Sequence, residues 1–183
     1  MKGNNGWLYH LCPEEIIGHK LLPLNSQRKT YPSLYAKNVG TYIGREHVMS
    51  RQIPLLNCLW NDVLHMTNIP PSAFFRALKE SGRNPNPSLI WLKVPVTDAI
   101  ESPTVVYSCR TTSSDRPFLP PEEVSHFDPV IFSEGAIDQR TSDYYRTQIK
   151  EGRKLLLFQG IAHFLIQGEI TLSRCQTLRW NEG

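Results

Sequence analysis

Fourteen prolines and eleven glycines are scattered through the 183 residues with no period and no low-complexity tract. Proline removes a backbone donor and fixes φ, and glycine weakens helix interiors, so a chain punctuated this often is not built from long helices. Many short strands and helices joined by turns are what it permits. A hydrophobic content of 40% over this length supports one buried core without disulfide or metal staples, so a single domain is expected over residues 1–183.

Apolar, β-branched and aromatic runs predict strands at residues 7–11, 62–67, 88–94, 103–109, 154–158, 169–172 and 176–180. Helices are expected at 13–18, where proline starts and glycine ends a segment with two acids in its first turn, at 70–81 closed by Gly82, at 122–126 and at 139–151. Strands and helices do not alternate as regular βαβ units. The fold class that follows is α+β, with a mainly antiparallel sheet and flanking helices.

The net charge of +3 is small, but its distribution is uneven. Residues 17–52 hold Lys20, Arg28, Lys29, Lys37, Arg45 and Arg51 against Glu46 alone, while residues 121–143 hold six acids against Arg140. Tyr31, Tyr35 and Tyr42 interleave with the basic set, so residues 25–52 read as a basic, tyrosine-rich excursion suited to a phosphate-bearing partner. A solvated surface segment would have the same composition. Cys12, Cys58, Cys109 and Cys175 form no Cys-x-x-Cys pair, and reduced thiols are expected. The start lacks a secretory h-region, and the longest apolar run, 155–166, is broken by Gln159, Gly160 and His163. A soluble cytoplasmic protein with no membrane partner is the expectation.

Two of the predicted strands carry a histidine inside an apolar run: Trp7-Leu8-Tyr9-His10-Leu11 and Asp62-Val63-Leu64-His65-Met66-Thr67. A buried imidazole without hydrogen-bond partners costs roughly 1–3 kcal/mol, so two such positions predict a polar cleft that both rings border. Core histidines satisfied by the backbone are the bland alternative. A metal reading from His10, Cys12 and His19, joined by His65 or His163, matches no established ligand spacing.

The order of Tyr9-His10, the passage Ile16-Ile17-Gly18-His19-Lys20-Leu21-Leu22-Pro23, the basic excursion, Arg51, and residues 62–67 running into Pro70-Pro71-Ser72-Ala73-Phe74-Phe75 carries a likeness. It resembles the ADP-ribosyltransferase superfamily, and within it the DarT-type toxins that modify nucleic acid. The resemblance implies a split antiparallel sheet, NAD as substrate, and mono-ADP-ribosyl transfer to a macromolecule, nucleic acid ahead of protein. It implies that His10 bonds the ribose beside nicotinamide, that His65 or Thr67 supports the nicotinamide end, and that Tyr9 and Arg51 complete the cofactor site. Breaking the nicotinamide glycosidic bond creates a cationic sugar that needs negative charge beside it. In the family a glutamate at the start of a late strand supplies this charge. Residues 154–158 begin with Gly152-Arg153-Lys154, which leaves Glu151, slightly early, and Glu169, at the next strand, as catalytic candidates. Glu169 is preferred because Gly168 gives its backbone freedom to aim inward. Two rival readings are an inactive NAD- or nucleotide-binding module on the same fold and an unrelated small hydrolase.

Overall fold

A computed structural model of the chain describes residues 6–16, 18–110 and 116–182. In chain order the first elements are β1 (Trp7–Leu11), β2 (Lys20–Leu21), α1 (Leu24–Thr30), α2 (Pro32–Val39), β3 (Gln52–Ile53), β4 (Cys58–Leu59), β5 (Leu64–Met66) and α3 (Pro71–Glu80). There follow β6 (Ile90–Pro95), α4 (Val96–Ile100), β7 (Thr104–Tyr107), β8 (Val124–His126), α5 (Gln139–Lys150), β9 (His163–Ile166), β10 (Ile170–Thr171) and β11 (Gln176–Arg179). The class is α+β, and the pairings between these strands are antiparallel.

Two sheets dominate. One has the order β1-β6-β11 and the other β5-β9-β7-β8. They meet at a single bridge, where Tyr9 N–H donates to the Thr67 carbonyl at 2.7 Å and Thr67 N–H returns a bond to Tyr9 at 3.0 Å. Beyond that point the strands part. In a strand, residues two apart turn their backbone groups the same way, so the His65 carbonyl also faces β1. No ladder reaches it there. The His10 ring does, with Nδ1 2.8 Å from the His65 oxygen.

Three apolar clusters fill the layers. Leu8, Leu64, Met66, Val94, Phe164 and Ile166 pack between the two sheets and β2. The amphipathic α3 lays Phe74, Ala77 and Leu78 against Tyr9, Trp91 and Tyr145 in the second cluster. Ile53, Val63, Val105, Leu119 and Leu165 form the third.

Four local expectations are corrected. Residues 13–16 adopt no helix, with Ile17 outside the described residues, and 122–126 divide into a 3₁₀ turn at Pro121–Glu123 followed by β8. Residues 154–158 are not a strand, and the late strand beside β5 is β9, starting at His163. Side chains of α5 take the backbone groups that a ladder would use: Tyr144 Oη accepts from Leu156 N at 3.0 Å, Tyr145 Oη donates to the Leu157 carbonyl, and Arg140 Nη2 donates to the Gly160 carbonyl at 2.7 Å. Residues 169–172 are strand only at Ile170–Thr171, where β10 pairs with β2. The helix itself is well started, since Asp138 at its N-cap accepts from Thr141 N at 2.8 Å.

Candidate functional site

The gap left where β1 and β5 part opens into a cleft of about 740 Å³, a size within the roughly 300–1,000 Å³ range of ligand sites. His10, His65 and Arg51 all border it, although the sequence reading expects both imidazoles on the same side of a sheet. The route to this placement is unexpected. Bridging Tyr9 to Thr67 puts those side chains on one face, so alternation sends His10 to the opposite face from His65. Both rings reach the cleft because it occupies the split itself.

One wall is aromatic. The register pairs Tyr107 with His163 and His65 with Leu165, so these side chains share a face of the larger sheet. Trp60, delivered by a 3₁₀ turn at Trp60–Asp62, lies over them, 4.3 Å from the His65 ring centroid and 5.7 Å from that of His163. Tyr107 stacks on His163 at 5.7 Å with a 29° interplanar angle. Behind it Cys109 is buried with φ +50, a left-handed turn that ends the β7 run. Asp62 turns away from the cleft, accepting from Leu59 N and from Asn25 Nδ2.

The imidazole tautomers are fixed by geometry, because a carbonyl oxygen only accepts. His65 Nε2 donates to the Trp60 carbonyl at 2.8 Å, His163 Nε2 to the Phe158 carbonyl at 3.1 Å, and His10 Nδ1 to the His65 carbonyl. Burial pushes all three rings toward the neutral form. His65 falls to about 3, from burial first and His163 second, and His163 falls to about 4 from burial. His10 is lowered by burial against the opposing pull of the His65 carbonyl.

The facing wall comes from the basic excursion, folded as α1, α2 and two 3₁₀ turns, Gly40–Tyr42 and Glu46–Ser50. Gln27, Asn38, Thr41, Tyr42 and Arg45 border the cleft from this side. Arg45 lies over the Tyr42 ring at 5.7 Å and donates from Nη2 to the Thr41 carbonyl at 3.1 Å. Burial raises the Tyr42 phenol, opposed by a hydrogen bond with Trp60 and the nearby Arg45 charge, so the two walls meet here. Arg51 is 7% exposed, and its charge is felt at Tyr107. Residues 155–159 close the third side.

The other proposed site residues lie elsewhere. Tyr9 packs in the second apolar cluster with Phe74 and Trp91, on the face of β1 away from His10. Thr67 is fully buried, and its Oγ1 accepts from Ile69 N at 3.2 Å. Glu169 pairs with Lys20 beside a second, smaller depression, and Glu151 pairs with Arg153 at the C-cap of α5. Neither acid borders the cleft, and among the described residues that do there is no carboxylate. The late strand that does pair with β5, β9, begins with His163.

Trp60, Asn61 and Tyr107 border the cleft without a ligand-binding role from the sequence, His163 entered only the metal reading, and Arg45 only the basic excursion as a whole. His163 had a usable signal: Ile161-Ala162-His163-Phe164-Leu165-Ile166 is a third apolar run carrying a histidine. Among the described residues no group of three or more His, Cys, Asp or Glu has metal-holding geometry. No described helix is long and apolar enough to cross a membrane. Comparisons with protein-family models, with curated proteins and with solved structures return no match.

Proposed function

We propose that the cleft binds a nucleotide of the NAD type without cleaving it, as a binding module on an ADP-ribosyltransferase-like scaffold. The observation that carries this reading is the make-up of the cleft lining: an aromatic wall, a cationic rim at Arg45, and no carboxylate among its described residues. Flat rings suit a base and Arg45 suits a phosphate, whose charge it meets with directional N–H donors. Cleavage asks for more. A developing ribosyl cation needs a preorganised negative charge, and neutral imidazoles beside arginines supply the wrong sign. Calorimetric titration with NAD and with ADP-ribose is expected to show saturable binding to one site. Arg45→Ala is expected to weaken it about tenfold, the scale of one charge-assisted phosphate contact. Absence of heat with both ligands, or an Arg45→Ala variant that binds as the parent does, contradicts this assignment.

A further inference from the structure

The fixed tautomers give the aromatic wall a hydrogen-bonding polarity. With Nε2 of His65 and of His163 committed as donors to backbone carbonyls, each Nδ1 carries only a lone pair. Among the described residues neither Nδ1 has a hydrogen-bond partner, and both are buried. The side-chain oxygen of Asn61, a residue 2% exposed in the Trp60–Asp62 turn, is likewise buried and unpartnered. All three residues border the cleft. Burial holds both imidazoles neutral near pH 7, so these nitrogens stay acceptors there.

Buried acceptors left without donors are costly, and several on one wall call for a group that donates to them. We propose that the aromatic end of the cleft selects a flat heteroaromatic ring bearing an amide or amine N–H donor, with His65 Nδ1, His163 Nδ1 and Asn61 Oδ1 as its acceptors. Trp60 offers its ring to the ligand beside the two imidazoles, whose centroids are 6.4 Å apart. This deepens the nucleotide-binding reading and rests on it for the phosphate-bearing part of the ligand. In a nucleotide of the NAD type two groups have this chemistry, the nicotinamide carboxamide and the adenine amine.

Pairs of probes that differ by one N–H donor group at unchanged charge separate the cases. NAD is compared with its acetylpyridine analogue, in which a methyl replaces the amide nitrogen, and AMP with purine riboside monophosphate, in which hydrogen replaces the amine. Benzamide and acetophenone form a third pair that needs no phosphate. The donor form is expected to bind at least about tenfold more tightly in one nucleotide pair, which identifies the ring, and in the benzamide pair. Nitrogen NMR of the imidazoles should show the Nδ1 signals of His65 and His163 move on saturation, and His163→Phe should remove most of the discrimination. Equal affinities within every pair overturn the donor proposal and leave nucleotide binding standing. Discrimination by benzamide with no nucleotide binding supports the donor proposal and removes the nucleotide reading. Unmoved Nδ1 signals on saturation with the donor ligand overturn it even if His163→Phe fails to fold, and no binding by any probe overturns both.

Discussion

His163 sits at the head of β9 with every neighbour aromatic or apolar: Phe158, Tyr107, Trp60 and the neutral His65. Such a ring stays unprotonated in the folded chain and takes a proton freely in the unfolded one. The sign follows directly. The folded values of His65, about 3, and His163, about 4, lie below the ordinary value of roughly 6.5, so the unfolded chain binds protons first as pH falls. Stability from these rings is complete above about pH 6.5 and is lost at about 1 kcal/mol per pH unit for each ring as pH drops toward the folded values. Urea denaturation between pH 7 and pH 5 is expected to show this fall, and the double variant His65→Phe/His163→Phe to flatten it. An equal slope in parent and double variant contradicts the buried neutral assignment. At this scale the sequence was legible where a polar ring interrupted an apolar run, as at His10 and His65. Tyr9 turns into the core by alternation from His10, whereas Thr67, on the same face as His65, is covered where the two sheets join, a contact between residues far apart in the chain.

The segment 154–160 shows what determines an element beyond its residue types. Its apolar run reads as a strand, yet α5 holds its backbone through Tyr144, Tyr145, Thr141 and Arg140, and it becomes a wall of the cleft instead. By contrast α3 was legible because proline, apolar spacing and Gly82 all agree, and α5 because Asp138 caps it. Tyr145→Phe leaves the half-buried Leu157 carbonyl without its donor and is expected to cost about 1 kcal/mol in chemical denaturation. A change below about 0.3 kcal/mol would show that α5 does not hold this wall through that bond. On α1, Arg28 and Lys29 are exposed and do not border the cleft. Reversing both to glutamate is expected to leave NAD affinity within about twofold at physiological salt, because exposed charges beyond roughly 8 Å are screened. The same change lowers helix stability slightly, since it places acids at a helix C-terminus. If instead nucleic acid docks on this face, the reversed chain shows weaker binding with a shallower salt slope than the parent.

Across the molecule, one design decision dominates: two antiparallel sheets joined at Tyr9 and Thr67 and open beyond them, with the basic excursion folded over the opening. The split fixes where the cleft lies, and its lining carries the proposed binding role. The acidic residues that sequence order suggested, Glu151 and Glu169, are held in ion pairs with Arg153 and Lys20 outside the cleft. The head of β9 offers the cleft a neutral imidazole. A proton NMR time course of NAD incubated with the protein tests the proposed binding without cleavage. The expected result is saturable broadening of the NAD signals with the glycosidic bond intact and no growth of free nicotinamide above the protein-free control. Nicotinamide accumulating in proportion to protein, and slowed roughly 100-fold by Glu169→Gln, would contradict it and return the acid to the reaction.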